Sequence, residues 1–299
     1  MRRWVYAAKP ASWPKLLVPF ALGQAIGLGA DHGPSWRALL AGLGFTVLDL
    51  LFIVFLNDWG DRDVDAIKRR MFPRGCSPKT IPDGLLPAHH LLIAGGVAGV
   101  AAVGLAFAAG AWLDRPLLGL MAIGALGIFV AYTLPPIRAN YRGGGELLEM
   151  IGVGVALPWM HAYLQGGELL VDGLWLLPGF SLLALASAIA SGLADERSDR
   201  EGGKTTFVSR LGNRLGRRAT EALTFAGALT WLLTTALPWW ITVAPALVAL
   251  FEAGRMWSAS AAAVTDAFDA QKRYKARMHG AMWRGALCAA MLLAWRDLT

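Results

Sequence analysis

Asn57-Asp58-Trp59-Gly60-Asp61-Arg62-Asp63-Val64-Asp65 follows directly on an apolar run. At about 100° per residue, a helix projects Asp58, Asp61 and Asp65 at roughly 0°, 300° and 340°, within one narrow face. Asp63 points elsewhere. Three carboxylates so placed repel each other, so a positive charge is expected among them. An all-oxygen donor set suits a hard cation such as Mg²⁺. A second acidic pair, Asp195 and Asp199, ends another apolar run in Gly192-Leu193-Ala194-Asp195-Glu196-Arg197-Ser198-Asp199, and Lys204 follows. Two acidic clusters at the edges of apolar segments, each followed by basic residues, predict a Mg²⁺-bridged site for a phosphorylated lipid. The competing account is a pair of solvated, charged helix ends. It serves well for one cluster and poorly for two of the same character.

Composition sets the class. The chain has 299 residues, 56% hydrophobic and 16% charged, with 13 Trp and 35 Gly. A soluble domain carries about a quarter charged residues. Few charges with many Gly and Trp indicate an all-α polytopic membrane protein, folded as one domain over residues 1–299. The net charge of +7 lies in loops between apolar segments, where membrane lipid headgroups and topology explain it; nucleic acid is not an expected partner. Cys76 and Cys288 show no redox or zinc spacing and are expected as free thiols. The first apolar run lacks a small-residue cleavage site and reads as a retained helix.

Nine transmembrane helices are predicted, at about residues 16–30, 38–56, 85–110, 117–132, 147–164, 174–193, 220–236, 241–253 and 281–295. Of the 28 Lys and Arg, 24 fall on the side of the N-terminus and of the loops at 57–84 and 194–218. That bias predicts a cytoplasmic N-terminus with both acidic clusters on the inner side, most simply of a prokaryotic inner membrane. The long loop at 57–84 is expected to be helical at its start. Pro73, Pro78 and Pro82 then stop it, and its later part is expected to fold back over a site. Asp49 lies eight residues before Asn57, roughly 12 Å deeper along a helix, and an intramembrane carboxylate is a functional candidate by default. A hydrogen-bonded acid between helices is the alternative. His161, His89, His90 and His279 show no ligand pattern.

The paired motifs resemble those of the UbiA superfamily of intramembrane prenyltransferases. Asn57, Asp58, Asp61 and Asp65 match its N-D-x-x-D-x-x-x-D pattern. Asp195 and Asp199 match its D-x-x-x-D pattern, with Lys204-Thr205 and Arg210-Leu211-Gly212 following. The similarity runs from Lys9-Pro10 to the last spans. Tyr132, Pro135, Pro136, Arg138, Tyr141, Arg142, Gly143, Gly145 and Glu146 are most similar to the menaquinone-pathway branch, which prenylates 1,4-dihydroxy-2-naphthoate. The Asn57-Asp58-Trp59 opening is also similar to chlorophyll synthase. One element departs. Where many relatives carry Arg-Pro and a glycine after the first motif, this chain has Arg69-Arg70 and then Cys76 to Gly84. Lys79 is the candidate to replace that arginine.

The resemblance implies transfer of a prenyl group from an allylic polyprenyl diphosphate to a lipophilic aromatic acceptor, with Mg²⁺ as cofactor. Asp58, Asp61 and Asp65 would serve one metal region, Asp195 and Asp199 the other, with Asn57 ligating or orienting a ligand. Arg62, Lys68, Lys79, Arg138 and Lys204 are candidates to donate to the phosphate oxygens, Lys204 and Arg138 first. Tyr132, then Tyr141, is the candidate aromatic face for the allylic cation. Glu146, Glu149 and Asp49 are the available acid–base groups. The alternatives are another acceptor (a tetrapyrrole, a phenolic core or a glycerol phosphate lipid), a transporter, or a lipid-binding protein. A transporter predicts an inverted repeat and midplane charges, and neither is evident.

Overall fold

The computed structural model describes residues 2–30, 33–74 and 77–299; Cys76 and part of the turn expected at 31–36 lie outside the described residues. The chain is all-α. Its main helices are α1 (Pro14–Gly27), α2 (Trp36–Gly60), α3 (Arg62–Met71), α4 (Ala88–Trp112), α5 (Leu118–Thr133), α6 (Gly145–Gly166), α7 (Asp172–Gly192), α8 (Glu196–Glu201), α9 (Asn213–Leu232), α10 (Trp239–Ala259) and α11 (Phe268–Leu298). α2 packs on α4, α4 on α5, α7 on α9, and α9 on α10. α10 packs on α11, and α11 returns to α1, which closes the bundle.

The apolar interior falls into two parts. Phe45, Leu50, Phe52, Ala102, Ala122 and Met160 fill one side, between α2, α4, α5 and α6. Leu22, Phe180, Leu183, Trp231, Met278 and Met282 fill the other, between α1, α7, α9 and α11. Helices that are apolar on most faces leave many large side chains outward, among them Val100, Leu120, Phe251 and Met291. This is the distribution expected where the solvent is hydrocarbon.

Nine long helices stand at the predicted positions among the described residues, but nine full spans do not follow. By length and apolarity, four can cross a membrane: α2, α4, α6 and α7; α5 is apolar but shorter. α1 has only 14 residues. α9 begins with Arg214, Arg217 and Arg218, α10 carries Glu252 and Arg255, and the predicted ninth span is the second half of a charged 31-residue α11. Glu252 is buried between Arg284 (2.6 Å) and Arg255 (3.2 Å). Paired charges at helix ends shorten the apolar stretch of each without breaking the helix.

Two local features shape the centre. At residues 152–156 α6 widens into a π-helical turn. α2 ends at Gly60, where an added Cβ would stand 2.8 Å from Thr133 Oγ1. The chain then bends at Asp61 (φ −97°) into α3. The helix expected to carry Asp58, Asp61 and Asp65 together is therefore divided, with Asp58 on α2, Asp61 at the joint and Asp65 on α3. The backbone bonds Asp61 N to Asn57 O and Asp65 N to Asp61 O carry the turn across the joint, each at 2.8 Å.

Candidate active site

A cavity of ≈330 Å³ opens at the centre of the bundle. One wall is ionic: Asn57, Asp61, Asp65, Lys79, Asp195, Asp199 and Lys204. The other is apolar and aromatic, with Leu50, Ile53, Phe129, Tyr132, Val153 and Leu157. The two acidic clusters, about 130 residues apart in sequence, thus face one space. Lys204 spans them: its ammonium donates to Asp61 Oδ2 at 2.9 Å and its backbone N–H to Asp199 O at 2.8 Å. Lys68 of α3 pairs with Asp195, which ties the first cluster's helix to the second cluster.

Of the motif carboxylates Asp58, Asp61, Asp65, Asp195 and Asp199, each but Asp199 pairs with a lysine. Lys9 pairs with Asp58, Lys79 with Asp65, Lys204 with Asp61 and Lys68 with Asp195. Asp199 has only a long 3.5 Å contact from Thr206 Oγ1. Asp58 turns out of the cavity wall, because Lys9 and Thr80 Oγ1 (2.6 Å) hold its two oxygens. Asp63 faces solvent at 78% exposure, in keeping with its off-face position. The returning loop supplies Lys79 and Thr80. It is pinned by Asp83, which accepts from Tyr6 Oη at 2.6 Å and pairs with Arg69 at 2.7 Å.

The donor set fits a hard divalent cation in kind, since every group is a carboxylate or amide oxygen; Asp58, Asp61, Asp65 and Asp199 are buried, and Asp195 is about a third exposed. It is not drawn together: among the described residues no three Asp, Glu, His or Cys groups gather round one point. The lysine ammonium groups hold the carboxylates apart in pairs, taking the places where positive charge is needed.

Residues 16–283 match the UbiA prenyltransferase family. The chain belongs to that family. It is 29% identical over 248 residues to the 1,4-dihydroxy-2-naphthoate octaprenyltransferase of Mycobacterium tuberculosis, covering 79% of this chain and 80% of that one. The chloroplastic chlorophyll synthase of Oryza sativa is 24% identical over 200 residues, covering 64% and 50%. Among solved structures, a UbiA homolog from Archaeoglobus fulgidus bound to DMAPP and Mg²⁺ superposes with a TM-score of 0.70 at 16% identity, covering 94% and 99%.

Electrostatics in this UbiA-type prenyltransferase follow the pairing. Burial and the neighbouring Asp195 raise the Asp199 carboxyl to about 7. Burial would raise Asp195 as well, but Lys68 and Lys79 outweigh it and bring it down to about 2. Burial also lifts Asp65, against the pull of Lys79. For Lys204, burial favours the neutral amine, and Asp61 overrides it, so the group is held well above the ordinary lysine range.

Of the predicted phosphate donors, Lys79 and Lys204 line the cavity. Arg138, in a left-handed turn (φ 47°), donates to Gly60 O at 2.7 Å and lies 3.6 Å over the Tyr141 ring. Arg62 is directed elsewhere, lying 5.0 Å over Trp59 and donating to that residue's carbonyl at 2.9 Å. Tyr132 is in the cavity wall, stacked on Phe129 at 5.8 Å. Tyr141 is not in the cavity lining; Lys204 Nζ is 5.3 Å from its ring, and its hydroxyl donates to Gly60 O at 3.4 Å. Glu146 accepts from Phe207 N at 2.7 Å and Glu149 pairs with Lys15 at 2.6 Å, so both are engaged in holding the fold. His161 is buried against Thr46 and is not among the residues that line the cavity. Sequence reasoning missed Lys9, Thr80 and Asn140, whose Nδ2 donates to Asp61 Oδ1 at 3.3 Å. Only Lys9-Pro10 carried a signal, as the start of the family similarity.

Proposed function

We propose that the chain transfers a prenyl group from an allylic polyprenyl diphosphate to a hydroxylated aromatic acceptor, 1,4-dihydroxy-2-naphthoate or a related quinone precursor, and releases diphosphate. The observation that carries this reading is the cavity itself: two acidic clusters with lysines on one wall, and an aromatic, apolar wall opposite. The naphthoate prenyltransferase similarity and the Tyr132–Glu146 stretch support the acceptor class. Mg²⁺ is the proposed cofactor; Asn57, Asp61, Asp65, Asp195 and Asp199, which line the cavity, would hold it, and Asp58 would join them only on release from Lys9 and Thr80. When bound, it neutralises the diphosphate and favours its departure. Nine membrane crossings, with the charged ends of α9, α10 and α11 at the faces and the site toward the cytoplasm of a prokaryotic inner membrane, complete the reading.

The chain's own groups then have definite work. Lys79 and Lys204, released from Asp65 and Asp61, donate to the phosphate oxygens. Tyr132 and Phe129 present ring faces to the developing allylic cation. The apolar wall keeps water from it. The test is mass spectrometry of the products formed by purified protein from a panel of acceptors and a series of prenyl diphosphates, with and without Mg²⁺. A prenylated naphthoate formed only with the metal is the expected result. Turnover of a glycerol phosphate lipid alone, or of none, sinks the reading.

A further inference from the structure

Asp49 is the one carboxylate in the cavity wall, among the described residues, with no hydrogen bond or ion pair to another side chain or to the backbone. Its neighbours in the wall each have a partner: Asp61 has Lys204, Asp65 has Lys79, Asp195 has Lys68, Glu149 has Lys15, and Asp199 has the Thr206 hydroxyl. Asp49 is only 2% exposed. It stands on α2, eight residues before Asn57, about 12 Å along the axis from the acid–lysine cluster. The same wall includes Leu50, Ile53 and Val54 of its own helix and Phe129 and Tyr132 of α5. The nearest polar side chain on α2, Thr46, is already engaged, donating to Gly42 O at 2.8 Å.

A buried carboxyl without a partner is costly to the fold and is kept where a ligand supplies the missing hydrogen bond. Three things enter this cavity under the proposed reaction. The diphosphate belongs with the lysines, one end away. The prenyl tail has no hydrogen-bonding group. The acceptor's ring hydroxyl is the remaining donor. We infer that Asp49 is a catalytic residue that binds the ring hydroxyl of the aromatic acceptor and takes its proton as the ring attacks. This rests on the proposed transfer to a hydroxylated ring.

The allylic C1–O bond breaks, and its electron pair leaves with the diphosphate. A ring π pair forms the new bond to C1. The hydroxyl proton passes to Asp49, and the O–H pair becomes the ring C=O. The substituted ring carbon then loses its proton to the released diphosphate, or loses carbon dioxide where it bears a carboxylate. The pair left behind restores the aromatic ring, and Asp49 returns its proton to the oxygen.

The experiment compares Asp49→Asn and Asp49→Leu with the wild-type full-length protein in detergent. The acceptor is 1,4-dihydroxy-2-naphthoate under reducing conditions, with the prenyl diphosphate that the wild type turns over fastest. Asp49→Asn keeps the acceptor KM within about threefold and lowers kcat by about 100-fold or more. Asp49→Leu raises the acceptor KM by about tenfold or more, and both variants keep the diphosphate KM within about twofold. A second readout needs neither Mg²⁺ nor diphosphate: the wild type binds the naphthoate about tenfold tighter than its dimethyl ether, and Asp49→Leu does not distinguish them. If Asp49→Leu fails to fold, the kcat-against-KM split of Asp49→Asn decides. Wild-type kcat and acceptor KM in the variants overturn the role of Asp49 alone, as does a loss confined to the diphosphate KM. A wild type that prenylates no hydroxylated ring overturns the functional reading and this inference with it.

Discussion

At the scale of single residues the site is a charge-balanced cluster that has to be opened to work. Lys204 and Asp61 are each about one-tenth exposed and pair across the two motifs. Asp61→Asn leaves a buried ammonium without its counter-charge, a loss of roughly 3–5 kcal/mol. The expected outcome is a lowered Tm and no turnover. The double variant Asp61→Asn, Lys204→Met recovers the Tm and stays inactive, because the cycle separates the fold's use of the pair from the reaction's. A double variant as unstable as Asp61→Asn alone counts against the pairing. Asp199 carries a second consequence. Its carboxyl rests near 7, so between the unfolded value of about 4 and pH 7 the folded chain binds this proton more tightly than the unfolded chain does. Ionisation of Asp199 therefore opposes folding as pH rises through that window, unless a cation arrives. Asp195, held near 2, stays ionised throughout it. Mg²⁺ binding is then expected to release about one proton at pH 6 and far less at pH 8, and to weaken below pH 7. Calorimetry in buffers of different ionisation enthalpy measures that release; no pH-dependent release would show that the metal does not displace a proton from Asp199.

Elements position these residues, and they were read from sequence unevenly. The apolar runs announced α2, α4, α6 and α7 because few polar residues interrupt them, and the i, i+3, i+7 carboxylates marked the site because helical spacing is local. The break between α2 and α3 was not legible. It depends on Gly60 passing Thr133, a contact between helices separated by more than 70 residues. Gly60→Ala is expected to cost about 1–3 kcal/mol by overpacking and to lower activity by moving Asp61, with Thr133→Ala restoring part of both. Equal activity in Gly60→Ala would show that the joint tolerates a shift. The later part of the 57–84 loop, at 72–80, is the strap expected to fold back over the site, and of its described residues Lys79 reaches Asp65 and Thr80 reaches Asp58. What sequence did not reveal is the pin, Asp83, which collects Tyr6, Arg69 and the Lys79 backbone N–H (3.1 Å). Asp83→Asn weakens all three. The expected result is faster tryptic cleavage within the strap and a diphosphate KM raised by about tenfold, with the acceptor KM little changed. Unchanged cleavage would mean that the strap is held elsewhere.

For the whole molecule, the same evenness of hydrophobicity that made the membrane class obvious hid the cavity. Leu50, Ile53, Val153 and Leu157 read as core or lipid-facing positions, and only the closing of α1 through α11 shows that they border an internal space. The prenyl tail gains little by leaving lipid for such a wall, since both are apolar, so chain length has to be selected by shape. The π-helical turn of α6 is placed to set that shape. It brings Gly152 and Val153 into the cavity wall, and an added Cβ at Gly152 would meet Ile128 Cγ2 of α5 at 3.5 Å, an ordinary contact distance. Room therefore exists for a side chain to start, while a ring carried further would project into the space between α5 and α6. Gly152→Phe is expected to lower kcat/KM for long polyprenyl diphosphates by about tenfold or more, while a single-isoprene diphosphate stays within about threefold. Competition among a chain-length series in one reaction measures the shift directly. A uniform loss across the series would place the tail outside this part of the wall and move the length-selecting surface to another face of the bundle.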